Sequence, residues 1–384
     1  MGREYEIIPY DSKFRSETLE LLTPLWGANL EANSRYFDWK YQQNPYSRKP
    51  LMYLALDGGN VVGTDSYFVS CWETGKGRKR YHCVHGCDAV VHPAHRGRGL
   101  HKRIKAVAMD YLKTSEYELE ITMASNEITE SHNIKAGGLS VAELKRLRWK
   151  MSENGGRLRS LGRLVPGAGL IYRCFRGKAD DGKRGSMSSA KARPFSILDA
   201  NFVRYGTFGH SKISLAAEPR PESMALLVSR MNRGGQIKHV RDKEFYSWRY
   251  RNPSSVYRFL YLEKGGGDLQ GFVVVQLPAS GTFTAGFIVD WEASTREVFS
   301  ELLGALIRYG GFSLLEIWAI TLRTEEANSL KKLGFSAKET ADARVFYPHL
   351  LVLPLRDPGC CRLEKQDFVD IHNWDLRPIY SDSY

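Results

Sequence analysis

The sequence contains no run of about 18 apolar residues, so we expect no membrane-spanning helix. Its first eleven residues, MGREYEIIPYD, include no apolar core of the kind found in secretory signals, and we expect no signal peptide. The six cysteines are scattered at positions 71, 83, 87, 174, 360 and 361, which is not the spacing of a disulfide framework. These absences favour a cytoplasmic protein with reduced cysteines.

Charge is unevenly distributed along the 384 residues, a length that suits two domains. The net charge is +12, and residues 145–193 alone hold 14 Lys or Arg against three acidic residues. One interpretation of this segment is a solvated linker. The other is a patch for an anionic partner, either a membrane surface, which is the first candidate, or a nucleotide-linked substrate, whereas nucleic acid is not expected.

Residues 85–114, HGCDAVVHPAHRGRGLHKRIKAVAMDYLKT, contain the most informative local pattern. Apolar residues up to Val91 predict the end of a buried strand. The turn Arg96-Gly97-Arg98-Gly99 follows, and then apolar residues recur every three or four positions from Leu100 to Leu112, which predicts a helix. A glycine-rich turn entering a helix presents unpaired N–H groups at the positive end of the helix dipole, so this order predicts an anion site. The motif lacks Gly-Lys-Ser/Thr and Gly-x-Gly-x-x-Gly, which excludes the two commonest nucleotide loops.

Val91-x-Pro93 followed by Arg96-x-x-Gly99 closely resembles the pyrophosphate loop of the GNAT acyltransferases, Arg/Gln-x-x-Gly-x-Gly/Ala. His101 replaces the last Gly or Ala of that pattern. The predicted element order of the first 150 residues, β-α-α-β-β-β-α-β-α-β, is also the order of that family. The resemblance implies acetyl-CoA as co-substrate, with these coenzyme-binding residues: Val91, Arg96, Gly97, Arg98, Gly99, Leu100, His101 and Asn126.

The chain then repeats itself. Phe37-Asp38-Trp39-Lys40-Tyr41 with Asn44-Pro45 matches Tyr246-Ser247-Trp248-Arg249-Tyr250 with Asn252-Pro253, and later elements follow in matching order. We therefore predict an α+β protein with two tandem GNAT-like domains, each a mixed, mostly antiparallel sheet flanked by helices. The predicted limits are 1–152 for the coenzyme-binding domain, 153–195 for a basic linker, 196–355 for a degenerate second domain and 356–384 for a tail.

The two halves differ at the loop. The second half has Trp291-Glu292-Ala293-Ser294-Thr295-Arg296-Glu297 there, without glycine and with two acidic residues that would repel a pyrophosphate. We predict that only the first half binds the coenzyme.

Candidate bases lie on the fourth strand. In GNAT enzymes the thioester lies between two splayed strands, and a base on the fourth strand, acting directly or through water, takes a proton from the acceptor amine. The resemblance places that base at His85, with Asp88 as the second choice, and the alternative is a histidine bonded within the sheet. Cys83 and Cys87 flank His85, but residues i and i+4 of a strand lie about 13 Å apart, so no zinc site is expected.

The family's general acid, a Tyr seven residues after the Asn, is replaced here by Asn133. Either His132, another residue or water would then protonate the leaving thiolate, or the thiolate would leave as the anion. Aromatic residues on the repeated segments give either core packing or an acceptor platform; we take as substrate candidates Tyr36, Trp39, Tyr41, Trp248 and Tyr250.

The sequence thus predicts an N-acetyltransferase that moves acetyl from acetyl-CoA to a small amine. Resemblance to tandem GNAT proteins of bacterial polysaccharide clusters suggests an amino sugar. Two alternatives remain: a Fem-type aminoacyl transferase that uses aminoacyl-tRNA, and a non-catalytic coenzyme-binding protein.

Overall fold

The computed structural model describes residues 4–75, 77–123, 126–151, 205–208, 211–231, 235–278, 285–337 and 348–381. The chain forms two compact units that interleave along the sequence. Unit 1 comprises Met1–Leu144, Arg233–Ser254 and Ala343–Tyr384, and unit 2 comprises Lys145–Asn232 and Ser255–Asp342. The domain limits predicted from the sequence follow the repeat, whereas the units follow packing, so those limits stay a prediction. The whole predicted linker, residues 153–195, lies outside the described residues.

The first half contains the elements that the apolar patterns predict. In chain order they are β1 (Glu6–Pro9), α1 (Arg15–Leu21), α2 (Thr23–Trp26), α3 (Leu30–Phe37) continued by a π-helical turn (Asp38–Gln42), β2 (Leu51–Asp57), β3 (Asn60–Thr74), β4 (Lys79–Val91), α4 (Leu100–Thr114), β5 (Leu119–Thr122), α5 (Glu127–Lys135), β6 (Leu139–Glu143) and β7 (Arg146–Lys150).

The second half follows in a similar order. Its strands are β8 (Tyr205–Phe208), β9 (Ser211–Ala216), β10 (Ile237–His239), β11 (Val256–Lys264), β12 (Asp268–Leu277), β13 (Ala285–Ala293), β14 (Leu314–Trp318), β15 (Ser336–Ala337), β16 (His349–Pro354), β17 (Arg362–Leu363), β18 (Gln366–Asp367) and β19 (Trp374–Asp375). Its α-helices are Pro221–Arg230, Lys243–Arg249, Arg296–Tyr309 and Thr324–Lys332.

Each unit has one mixed sheet. In unit 1 the strand order is β1-β2-β3-β4-β5-β16-β6, and β10 joins an end of β3. In unit 2 it is β15-β7-β14-β13-β12-β11-β9-β8. The pairs β4–β5 and β13–β14 are parallel, and the other neighbours along these two paths are antiparallel. The predicted fold class, two tandem mixed and mostly antiparallel sheets with flanking helices, is confirmed.

The last strands of the two halves are exchanged. β16, from the end of the second half, lies between β5 and β6 in the sheet of unit 1. β7, from the end of the first half, lies between β14 and β15 in the sheet of unit 2. The two sheets therefore have equivalent strand orders, and each includes a strand that sequence order assigns to the other half. The sequence predicted the strands but not this exchange.

Helix α4 packs closely on the sheet of unit 1. Its buried stripe of Leu100, Ile104, Ala108 and Leu112 covers β2, β3 and β4. A Cβ at Gly63 of β3 would lie 2.9 Å from Cδ1 of Ile104, so the missing side chain permits the close approach. This packing fixes the start of α4 beside the end of β4, where the glycine-rich turn lies.

Candidate functional site

The turn between β4 and α4 is open to ligands. Gly97 and Gly99 have φ angles of +74° and +68°, which favour glycine, and a Cβ at either position would meet nothing within 4 Å. Arg96 and Arg98 are exposed beside them. Gly99 caps α4 without a side chain, and the first turn of the helix has no acidic residue. An uncapped, basic helix N-terminus of this kind suits an anion.

Tyr5 anchors this turn from β1's side, a role that the sequence did not reveal. Its hydroxyl lies 3.1 Å from Nδ1 of His95 and accepts a hydrogen bond of 3.2 Å from Nη1 of Arg98. Arg103 of α4 donates to the Tyr5 carbonyl at 3.3 Å. Arg96 donates from Nε to the carbonyl of Val91 at 3.0 Å. These contacts set the turn's shape before any ligand arrives.

The remaining predicted coenzyme contacts lie around the same turn. Val91 ends β4, and the Leu100 side chain is 2% exposed in the core, so Leu100 can offer only its backbone. His101 is about half exposed, with Nε2 3.9 Å from the Asp65 carboxylate. Asn126 caps α5, where its Oδ1 accepts a hydrogen bond of 2.9 Å from the backbone N–H of Thr129. Their contacts with a coenzyme stay predictions.

The corresponding turn of unit 2 has the opposite character. Thr295 caps the helix Arg296–Tyr309 and accepts a hydrogen bond of 3.3 Å from the N–H of Val298. Glu297 occupies the first helical turn, and its pKa is lowered by hydrogen bonds from its own backbone N–H and from Thr295. A carboxylate therefore already lies where the first half offers open N–H groups.

β4 and β5 diverge soon after they begin to pair. Their parallel pairing involves Cys83 with Leu119 and Val84 with Glu120. Beyond it, β4 contains a bulge opposite β3, and Asp88 within that bulge has a φ of +49°. The bulge redirects the side chain of Asp88 from the ordinary alternation of the strand.

His85 lies on the face of β4 opposite α4 and is 2% exposed. Its Nε2 lies 2.8 Å from the Ser70 hydroxyl, which also accepts a hydrogen bond of 2.9 Å from the Trp72 indole. The Phe68 ring meets the imidazole edge-on at 5.9 Å. His85 thus has a hydrogen-bond partner within the sheet, Ser70, as the alternative interpretation expects. The role of His85 as a base stays a prediction.

Asp88 is engaged by three donors. Its carboxylate accepts hydrogen bonds from Nε1 of Trp26 at 3.0 Å, Nζ of Lys40 at 2.7 Å and the Tyr41 hydroxyl at 2.5 Å. Burial alone would raise the pKa of Asp88, but the Lys40 ammonium and these hydrogen bonds outweigh it and lower that pKa. A carboxylate held in this way is a weak base, so the contacts favour a positioning role for Asp88.

The predicted aromatic substrate residues belong to unit 1, including those of the second half, because the helix Lys243–Arg249 packs there. Four of the five side chains are buried: Trp39, Tyr41, Trp248 and Tyr250. Tyr36 is partly exposed and stacks on Trp39 with a centroid distance of 5.5 Å. Of the five, Tyr36 is best placed to meet a ligand, and a role in acceptor binding stays a prediction for all five.

A charged cluster that sequence reasoning missed lies on the α4 face of the split. Glu120 of β5 is 4% exposed, and its Oε1 lies 3.7 Å from Nζ of Lys105 in α4. Lys105 also donates to Oδ1 of Asn133 at 3.3 Å, and Asn133 donates to the Thr122 hydroxyl at 3.5 Å. Burial raises the pKa of Glu120, with a further rise from Asp65, and Lys105 partly offsets it. The signal in the sequence was an acidic residue between the buried Leu119 and Ile121.

Two other features are absent from the described part of the chain. It contains no group of three His, Cys, Asp or Glu side chains placed to hold a metal ion. None of its helices is long and apolar enough to span a bilayer.

Comparison with known proteins identifies the fold. Residues 7–131 match the family model of the acetyltransferase (GNAT) domain. Among solved structures, a probable N-acyltransferase from Enterococcus faecalis V583 aligns with a TM-score of 0.57 at 11% identity, over 92% of this chain and 73% of that one. A GCN5-related N-acetyltransferase from Anabaena variabilis gives 0.56 at 8% identity over 92% and 73%. One from Kribbella flavida gives 0.54 at 14% identity over 92% and 72%. The comparison with curated proteins gave no match. At these identities the structures establish a shared fold.

Proposed function

We propose that this chain, whose residues 7–131 match the family model of the acetyltransferase (GNAT) domain, transfers an acetyl group from acetyl-CoA to the amine of a small acceptor. The observation that carries the proposal is the uncapped, basic N-terminus of α4 with Gly97 and Gly99 open in front of it. The pyrophosphate of the coenzyme is an anion of the kind that such a terminus binds. When bound, acetyl-CoA supplies the activated acetyl group.

The protein's contribution begins with binding and orientation. Backbone N–H groups at the start of α4 and the exposed Arg96 and Arg98 would hold the pyrophosphate, while Tyr5 keeps the turn in shape. The thioester would extend toward the split between β4 and β5, where Val84 and Glu120 form the last backbone pair of the two strands.

The acceptor would meet the opposite face of β4. There, His85 is the proposed base, and Asp88, three residues further along β4, accepts hydrogen bonds from Lys40 and Tyr41. Amines are largely protonated near neutral pH, so a base that removes the proton raises the fraction that can attack. An amino sugar is the proposed acceptor class, supported by the family resemblance and by the partly exposed ring of Tyr36.

Two further proposals concern the surroundings. The cytoplasm is the proposed compartment, on the scattered spacing of the six cysteines in the sequence. An anionic membrane surface is the proposed partner of residues 145–193, of which 152–193 lie outside the described residues. Sedimentation with vesicles of acidic lipid at low salt, fading as salt rises, tests it, and no sedimentation at low salt contradicts it.

Release of free thiol from acetyl-CoA in the presence of a panel of small amines, amino sugars among them, tests the reaction. We expect release that depends on both the coenzyme and one class of acceptor, with acetylated amine as the product. If none of the amines in the panel supports thiol release and acetyl-CoA does not bind, the proposed function is contradicted.

A further inference from the structure

Glu120, Lys105 and Asn133 form a polar cluster on the α4 face of the split between β4 and β5, next to apolar core residues. Glu120 follows Leu119 and precedes Ile121, which are 2% and 0% exposed. One of its oxygens, Oε1, faces Lys105, and the other, Oε2, is buried without a hydrogen-bond partner among the described residues. A buried carboxylate oxygen without a partner costs stability. The fold would be served better by an apolar residue at this position.

The position of the cluster coincides with the point at which the two strands separate. Glu120 pairs with Val84, and two residues further along β4 is Gly86. A Cβ at Gly86 would lie 2.9 Å from Oε1 of Glu120, so the carboxylate occupies the space that a side chain on β4 would fill. Lys105, Thr122 and Asn133 line a cavity of about 10 Å³ beside it, which is enough for about one water molecule.

Lys105 contacts Asn133 of α5, the position at which the family resemblance implies a general acid. The sequence resemblance implies a tyrosine at the position of Asn133, whose amide cannot donate a proton readily to a thiolate. The Lys105 ammonium bonds to Oδ1 of that same Asn133. It is partly exposed, with 28% of its side chain accessible, whereas Glu120 behind it is buried. A proton donor is thereby presented toward the split.

We propose that the Lys105 ammonium protonates the thiolate that leaves during acetyl transfer, and that Glu120 and Asn133 are positioning residues that hold Lys105. The inference rests on the proposed function. The acceptor nitrogen forms a bond to the acetyl carbon, the carbon–sulfur bond breaks, and its electron pair remains on sulfur. Lys105 gives a proton to that sulfur and becomes a neutral amine, while the acceptor nitrogen loses a proton to the base on the other face. Lys105 regains a proton from water after the products leave.

Substitution of Lys105 tests the role directly. Lys105→Met removes the proton donor, and Lys105→Arg keeps the positive charge but replaces the ammonium with a guanidinium that holds its protons. We expect both variants to lower kcat by about 100-fold or more, the range of general acid catalysis, while the Kd for acetyl-CoA stays within about threefold. Lys113→Met, which removes an exposed lysine from the last turn of the same helix, is the matched control with unchanged kcat.

The leaving thiol separates proton donation from structural support. An acetyl thioester of a more acidic thiol needs less protonation as it leaves, so it should restore much of the kcat of Lys105→Met and change that of the wild-type protein little. Glu120→Gln keeps the size of the side chain and should lower kcat about tenfold or more by loosening Lys105, again with coenzyme affinity preserved. Full activity of Lys105→Arg, or an equal loss of kcat in Lys105→Met with acetyl-CoA and with the thioester of the more acidic thiol, would overturn the proposal.

Binding of acetyl-CoA to the wild-type protein and to each variant distinguishes failure of the role of Lys105 from failure of the proposed function. Wild-type protein that binds acetyl-CoA and turns it over, combined with active Lys105 variants, refutes only the role of Lys105. Wild-type protein that neither binds nor consumes acetyl-CoA refutes the proposed function and this inference with it.

Discussion

Trp39 and Trp248 form a reciprocal pair within unit 1. The indole N–H of Trp39 donates to the carbonyl of Trp248 at 3.0 Å, and the indole N–H of Trp248 donates to the carbonyl of Trp39 at 2.8 Å. The two rings stack with a centroid distance of 5.4 Å and an interplanar angle of 16°. These are the equivalent tryptophans of the repeated segment, so the two copies of one motif bind each other through the same groups.

The first prediction concerns this pair. Trp39→Phe and Trp248→Phe each remove one buried indole N–H···O hydrogen bond, which should lower the free energy of unfolding by about 0.5–1.5 kcal/mol. Because the residues are in contact, the double variant should lose less than the two single losses added together. Urea unfolding of the four proteins measures this coupling. Strictly additive losses would show that the two rings are energetically independent.

The repeat and most of the elements could be predicted from the sequence, because apolar periodicity and a matched order of motifs are local signals. The equivalence of Trp39 and Trp248 was visible as well. The exchange of β7 and β16 was not, since a strand pattern shows that a strand forms but does not show which neighbour it pairs with. Packing of the helix Lys243–Arg249 in unit 1 escaped prediction for the same reason.

The second prediction concerns the buried ion pair of Lys40 and Asp88. Asp88→Asn leaves a lysine that is 2% exposed without its counter-charge, and should cost about 3–5 kcal/mol of stability. The double variant Lys40→Met/Asp88→Asn should recover part of that loss. A double variant as unstable as Asp88→Asn would show that the charge of Lys40 is not the cause.

The same pair predicts an acid limb of stability. The pKa of Asp88 is lowered from its ordinary 3.8, so its contribution is fully present above that value and is lost as the pH falls through the lower folded-state pKa. Melting temperatures measured from pH 6 down to about pH 2 should therefore fall more steeply for the wild-type protein than for Lys40→Met/Asp88→Asn. Parallel curves for the two proteins would contradict this assignment.

The third prediction concerns His85. If its imidazole takes the proton from the acceptor, His85→Ala should lower kcat by about 100-fold or more and leave the Kd for acetyl-CoA nearly unchanged, because the ring lies on the face of β4 opposite α4. Ser70→Ala, which removes only its partner, should have a smaller effect on kcat. The control is His372→Ala, an exposed histidine of unit 1. A fully active His85→Ala protein would exclude His85 as the base and leave water as the first alternative, since the contacts of Asp88 make it a weak base.

The fourth prediction concerns Glu120 and the stability of the protein without ligand. Burial raises the pKa of Glu120 above its ordinary 4.5, so the folded state holds this proton more tightly than the unfolded chain does. That contribution is present below pH 4.5 and is lost as the pH rises through the folded-state pKa. The melting temperature of Glu120→Gln, relative to wild type, should therefore rise between about pH 4.5 and pH 8. A constant difference over this range would contradict the unfavourable burial of the charge.

The site was predictable only in part. The glycine-rich turn could be predicted, because glycines and arginines between a strand and a helix form a local sequence pattern. Tyr5 and Glu120 could not be assigned from sequence, since their roles depend on His95, Arg98 and Lys105, which the fold brings to them. The bulge at Asp88 was hidden too, because a positive φ in a non-glycine residue leaves no mark on the apolar alternation.

Calorimetric titration of acetyl-CoA into the wild-type protein, Gly97→Asp, Gly97→Asn and Glu297→Gln tests the central claim most directly. Asp and Asn have similar size and both tolerate the positive φ of Gly97, so only the added charge separates those two variants. We predict one coenzyme per chain for the wild type and for Glu297→Gln, and an affinity for Gly97→Asp at least about tenfold weaker than for Gly97→Asn, a difference of about 1.4 kcal/mol. Two equivalent sites per chain, or equal affinities of Gly97→Asp and Gly97→Asn, would contradict a single coenzyme site at the start of α4.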